Sequence, residues 1–323
     1  MSNEDYIEKI NSLLETLENV LRGPSGNDEN TTWIDIPAYK TSDIDSSDLL
    51  KKLFNLVIDA GPPISPFLEK MILEEKHSRW VRVFLATIGN EKSIDTLQTG
   101  YEPRILSKQK SVDNEMAFIE ESLCLARAAR KNKEDIKFLI SILPKYYYMV
   151  LPSAQAELNL VAIRAAEAIP AFKRESERNP KDLYWKDSLE RIQTAPARVD
   201  VQKLDNSGKE LIADVFSNGI PYFFGAQEVF DRKNGGIWKR EGNAWIFDTK
   251  PVDESVLYYF TIDFDVHISP DNKRSIVRVE QQTGQGRASR SADIYGYEYY
   301  LEKKDSSWQI RWLRNTTHGM VTM

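Results

Sequence analysis

The sequence predicts a two-domain α+β protein, in which an all-α array of helical hairpins precedes an antiparallel β-meander domain with short helices. Three observations carry that prediction. Up to about residue 195 apolar side chains recur at the three-to-four spacing of a buried helical face. Beyond about residue 200 they alternate along short runs separated by turn residues, the period of a half-buried strand. Within the first part the order helix, short break, helix repeats at a near-constant interval.

Bulk composition narrows the field. A chain of 323 residues, 41% hydrophobic and 28% charged, can bury two cores. Net charge is −6, whereas nucleic-acid binders carry a basic face that releases counterions from phosphates, so no nucleic-acid partner is expected. The charge is uneven: residues 1–48 hold 11 Asp/Glu and 3 Lys/Arg, a net −8, which leaves +2 on the rest. Cys124 has no second cysteine to pair with, Met1-Ser-Asn-Glu-Asp-Tyr6 has no export-leader pattern, and no apolar run reaches membrane-spanning length. A reducing cytoplasm and no membrane association are therefore expected, and the sequons at Asn30 and Asn315 are read as chance.

The first element is an amphipathic helix over residues 3–22, with Tyr6, Ile10, Leu13, Leu17, Val20 and Leu21 on one stripe and a Ser2/Asp5 capping box. Gly23-Pro24-Ser25-Gly26 ends it, and a polar linker runs to Thr32. Asp48 or Ser47 is placed to cap a second helix that Gly61-Pro62-Pro63 breaks. Further helices follow over Ser65–Lys76, His77–Ile88 and up to Leu97, with a break at Gly89-Asn90. Val81-Arg82, Ala86, Ile88-Gly89-Asn90, Ile94 and Leu97 resemble the conserved pattern of HEAT-type repeats, with a weaker echo at Val161–Ile169. The resemblance implies paired antiparallel helices stacked into an α-solenoid over residues 33–196, a scaffold that commonly binds other proteins.

The array continues with helices over Asn114–Lys131, Lys133–Leu151, Ser153–Glu177 and Lys181–Gln193, and Thr194–Ala197 is the predicted boundary. Cys124 reads as a small buried hydrophobe. Trp80 and the run Tyr146, Tyr147, Tyr148 are the candidate partner-binding residues, because tryptophan and tyrosine concentrate at interface hot spots.

Residues 197–323 change texture. Ser207–Phe216 and Ile220–Phe230 read as short helices. Ile237–Phe247 reads as a hairpin turning at Glu241-Gly242-Asn243, and Leu257–Ser269, Ser275–Thr283, Asp293–Lys303 and Trp308–Asn315 read as strands. Helices followed by a sheet that closes with Tyr297–Trp312 resemble the closing hairpin of NTF2-like domains, which implies a sheet wrapped around a pocket.

No motif specifies a reaction, so no catalytic residue, metal or cofactor is expected. Asp263, Asp265 and His267 share one strand face at i, i+2, i+4, a pattern that serves either an acid–base or metal set or a solvated face. Tyr295, Tyr297 and Tyr299 share a face, with Tyr300 opposite, and either line a ligand cavity or cement the sheet to its helices. Gly284-Gln-Gly286-Arg287 joins two strands and opens no helix, so it cannot form a phosphate cradle; Arg278, Arg287 and Arg290 remain as an anion or partner contact. Taken together, the sequence favours a non-enzymatic protein-binding protein, in concrete form an immunity or inhibitor protein that occludes a basic toxin or enzyme. The competing expectation is a small-molecule or enzymatic pocket in the C-terminal domain, and a third is a subunit assembled through the N-terminal helix.

Overall fold

A computed structural model describes residues 1–22, 43–75, 78–101, 114–143, 151–178, 180, 183–204, 208–218, 226–249, 260–283, 291–316 and 319–322. It is a mixed α+β chain and divides into two compact units. The first comprises Met1–Ala126 with Ser269–Arg274, the second Arg127–Ile268 with Ser275–Met323. The division falls inside a helix, so the helices beyond residue 126 group with the sheet, and the change of hydrophobic period near residue 196 does not mark it.

In the first unit, α1 (Asn3–Arg22) begins with the expected reciprocal cap. The Asp5 N–H donates to Ser2 Oγ at 3.2 Å and the Ser2 N–H to Asp5 Oδ2 at 2.8 Å. Its buried stripe, Ile10, Leu14 and Leu17, serves the packing of α1 on α2 (Asp43–Ala60), which starts five residues before the expected Asp48 cap. A 3₁₀ turn at Pro62–Ile64 leads to α3 (Ser65–Leu73), which packs on α4 (Ser78–Ile88). Phe54 and Phe84 meet edge to face at 4.9 Å. Buried Arg82, from the repeat-like motif, donates to the carbonyls of Leu97 (2.9 Å) and Thr99 (3.1 Å), and so closes the end of α5 (Ser93–Leu97). At Gly89 a β-carbon would lie 2.4 Å from the Leu85 carbonyl oxygen, so the motif's glycine is required by close approach. Cys124 is buried in α6 (Asn114–Arg130), as a small hydrophobe should be.

The second unit holds α7 (Lys133–Ile142), α8 (Leu151–Ala162), α9 (Ile169–Arg178), α10 (Leu183–Gln193) and α11 (Lys209–Ser217). The single helix expected over Ser153–Glu177 is two: Arg164 turns left-handed (φ 53°) and a 3₁₀ turn at Ala166–Ala168 precedes α9, so the Val161–Ile169 echo spans a break. Among the described residues nine strands form one sheet: β1 (Arg198–Asp200), β2 (Glu228–Asp231), β3 (Gly236–Glu241), β4 (Ala244–Asp248), β5 (Phe260–Ile268), β6 (Arg274–Thr283), β7 (Ser291–Lys304), β8 (Ser307–Asn315) and β9 (Gly319–Thr322). Their order is β1-β4-β3-β2-β5-β6-β7-β8, with β9 also on β7.

The sheet is not the purely antiparallel meander expected, because β1 runs parallel to β4 and β2 parallel to β5. Parallel neighbours need a crossover connection, and α11 with the β2–β3 hairpin lies between β1 and β4 in sequence. Phe230, the end of an expected helix, pairs instead with Thr261 in β5. The core lies on one sheet face, where Phe216 of α11 sits 4.5 Å from Trp238, 5.4 Å from Trp245 and 5.6 Å from Phe264. Along the edge strand β8, α8 supplies side-chain amides: Asn159 donates to the Leu313 carbonyl and accepts from its N–H, both at 2.9 Å, while Gln155 also donates to that carbonyl. These bonds occupy backbone groups that an open edge would leave bare.

Candidate functional site

Alternation along β5 divides the candidate residues of the sheet. Ile262 and Phe264 belong to the core, whereas Asp263, Asp265 and His267 take the opposite face. Tyr297 and Tyr299 are in the core with Tyr295 packed against it. The two expected groups therefore stand on opposite faces of the sheet and form no common site.

On the outer face each carboxylate has a cationic neighbour. Asp263 accepts from Arg232 Nε at 2.7 Å; Arg232 also reaches Glu280 (3.1 Å) and Gln282 (3.2 Å). This guanidinium separates two carboxylates that register directly opposite each other, Asp263 and Glu280. One row further, charges alternate across four strands. Lys233 lies 3.7 Å from Asp265, Asp265 lies 3.3 Å from Arg278, and Arg278 donates to Glu298 at 3.2 Å. Glu298 also accepts from Arg314 Nε at 2.9 Å. Burial deepens along the row until Glu298 and Arg314 are both buried. Burial pushes the Glu298 carboxyl up, but Arg314 and Arg278 outweigh it and hold the group below the usual carboxylate range.

Such a row is a charge ladder: its carboxylates are engaged by cationic side chains, chiefly arginines. His267 registers opposite Ile276, and its carbonyl accepts from Ser275 Oγ at 2.8 Å. Among the described residues no group of three His, Cys, Asp or Glu can hold a metal ion. Arg278, expected as an anion contact, is instead neutralised from both sides, while Arg287 and Arg290 lie outside the described residues, as does the Gly284–Arg287 loop. The sequence reading missed Arg232, Glu280, Glu298 and Arg314. The signal for Asp265–Arg278 was the short turn after Ser269, which fixes the register of β5 on β6.

The inner face holds Gln281, also missed, which registers opposite Ile262 and is fully buried. Among the described residues neither amide atom of Gln281 nor the hydroxyl of Tyr299 has a hydrogen-bond partner. Burial pushes the Tyr299 phenol up, with nearby Arg191 opposing. Tyr300, on the outer face, donates to Glu302 at 2.8 Å and lies 5.7 Å from the Trp312 ring. Burial, then repulsion from Arg311, brings Lys131 down to about 8.

Of the partner-binding candidates, Tyr146, Tyr147 and Tyr148 lie outside the described residues. Trp80 is half-buried in α4. The Arg79 guanidinium lies 4.8 Å over its ring and 4.3 Å over Phe118, so this tryptophan is engaged within its own unit. The outward surface of α1 is more distinctive. Glu4, Glu8 and Glu15 are exposed, and with Asn11 and half-buried Glu18 they form one stripe beside the buried one. Asn11 donates to Glu15 at 3.0 Å. No protein-family model, curated protein or solved structure matches the chain.

Proposed function

We propose that this chain is a protein-binding protein whose target presents a basic surface. The acidic stripe of α1 carries the reading. Like charges four residues apart on a helix, such as Glu4 and Glu8, weaken the isolated helix and favour an oppositely charged neighbour. Residues 1–48 carry a net −8 in sequence, of the same sign. The packing of α1 on α2 and of α3 on α4 supports a HEAT-like scaffold; α11 against a hairpin-rich sheet supports an NTF2-like domain. An immunity or inhibitor protein that occludes a basic toxin or enzyme is the concrete form, in a cytoplasm where Cys124 stays a thiol.

Affinity capture with the full chain, followed by a binding titration against the captured protein, tests it. A basic partner held at low salt, released as salt rises, and bound at least about ten-fold more weakly by an E8Q/E15Q/E18Q variant supports the reading. Equal binding by that variant sinks it.

A second reading has its own observation. The unpartnered amide of Gln281 and hydroxyl of Tyr299 on the inner sheet face favour a small polar guest, since a buried amide without a partner costs roughly 2–7 kcal/mol. Native mass spectrometry of the purified chain, compared with a Q281L variant, tests it: a small molecule carried by the wild type and lost from the variant supports it. Ordered waters at both groups in a high-resolution crystal structure would remove the need for a guest.

A further inference from the structure

Six residues from the far end of the chain, Ser269–Arg274, belong to the N-terminal unit. They are the tip of the β5–β6 hairpin and are held in shape by their own polar groups. The Ser269 N–H donates to the Arg274 carbonyl (2.9 Å), the Arg274 N–H returns to Ser269 Oγ (3.0 Å), and Asp271 Oδ1 accepts from both Ser269 Oγ (2.6 Å) and the Lys273 N–H (3.1 Å). Asn272 supplies the left-handed residue of the turn (φ 55°). Arg274 of the tip has a side chain that is only 12% exposed.

The Arg274 guanidinium ends on the last turn of α2. Its Nε donates to the Ile58 carbonyl at 2.7 Å and Nη2 to that of Asp59 at 3.3 Å. Those carbonyls are among the ones a helix leaves without an intrahelical partner, at the end where its dipole favours a cation. The chain then leaves through Gly61 at φ 65°, where a β-carbon would lie 2.4 Å from Arg274 Cζ. Asp271 Oδ2 lies 3.1 Å from the same Nη2. Pro62 and Pro63 follow, so α2 cannot continue to satisfy its own end.

We infer that Arg274 is a positioning residue that couples the two segments: the C-terminal turn of α2 and the β5–β6 tip order and open together.

Hydrogen exchange on the full chain, read by mass spectrometry, tests this with R274A and R274K. In R274A the amides of the last α2 turn and of residues 269–275 should exchange about ten- to hundred-fold faster, as expected for losing hydrogen bonds from a charged donor. In R274K, which keeps the charge but not the fork, both segments should rise together by a smaller factor. If R274A instead loosens the whole chain, R274K decides alone. A rise confined to one segment, or none in either, overturns the coupling.

Discussion

At the scale of single residues, the buried ionisable groups divide into those given partners and those left in conflict. Asp231 is fully buried: burial pushes its carboxyl up, while hydrogen bonds from Asn234 and Trp238 oppose. Its Oδ2 accepts from Trp238 Nε1 at 3.1 Å and from Asn234 Nδ2 at 2.9 Å, and its Oδ1 from the Asn234 N–H at 3.0 Å, so one carboxylate both closes the β2–β3 turn and fixes the central indole. Asp231→Ala should cost about 2–4 kcal/mol, because three donors, the buried Trp238 indole among them, lose their acceptor, whereas Asp231→Asn keeps an acceptor and should cost less than half of that. Urea unfolding reads both, and equal costs would show that the bonds are not what holds the site. Lys131 is the opposite case. Its pKa is 10.5 in the open chain and about 8 when folded, so the folded state disfavours the ammonium. The penalty is complete below pH 8 and is relieved as pH rises towards 10.5. Lys131→Met should therefore stabilise by about 1–2 kcal/mol at pH 7, allowing for partial solvent access, and the gain should shrink by pH 10. A loss of melting temperature at pH 7 would contradict it.

At the scale of elements, what could be read from the sequence is what local chemistry determines. The β3–β4 hairpin falls at Glu241/Ala244 because Gly242 takes positive φ, and β5 to β8 lie within three residues of their expected bounds because period-two alternation survives burial of one face. The break that was missed near residue 164 had a local signal as well as a tertiary one. Arg164 accepts a left-handed backbone where its guanidinium reaches the Ile192 carbonyl, at 3.4 Å, and Pro170, the second residue of α9, marks the start of a new helix that the reading passed over. Strand β2 pairs with β5 far away in sequence, but its hairpin with β3 is local and Asn234-Gly235-Gly236 marks the turn, so this strand was legible and was misread as the end of a helix. The protection of β8 was invisible, since it rests on amides some 154 to 160 residues upstream. Asn159→Leu keeps the helix and the volume but strips Leu313 of an acceptor and a donor. It should cost about 2–3 kcal/mol and raise exchange at Leu313 and Asn315 before the rest of the sheet. An unchanged edge would mean Gln155 suffices alone.

At the scale of the whole molecule, charge is sorted into an acidic helix face in one unit and a paired ladder on the sheet of the other. The alternation that put Asp263, Asp265 and His267 on one face was legible, and so was their separation from Tyr295, Tyr297 and Tyr299. Their partners were not, because Arg232 arrives from the β2–β3 turn and Arg314 from β8, which no local pattern connects to β5. The ladder is expected to contribute to the acid limit of stability. Glu298 is held below its ordinary 4.5 by Arg314 and Arg278 despite burial. With the folded value under the unfolded one, its contribution is complete above the unfolded value and drains away as pH falls through the folded one. The alkaline limit has the reverse sign. Tyr299 is pushed above its ordinary 10 by burial, so the unfolded chain loses that proton first and stability falls as pH climbs past 10. Glu298→Gln should cost about 3–5 kcal/mol at pH 7, the usual loss when one partner of a buried pair is removed. The same variant should lose less stability than the wild type between pH 6 and 3, because the titrating carboxyl is gone. Urea unfolding across pH 3 to 11 checks this against Tyr299→Phe, which should flatten only the alkaline limb. Parallel acid limbs for the wild type and Glu298→Gln would place the acid sensitivity elsewhere in the chain.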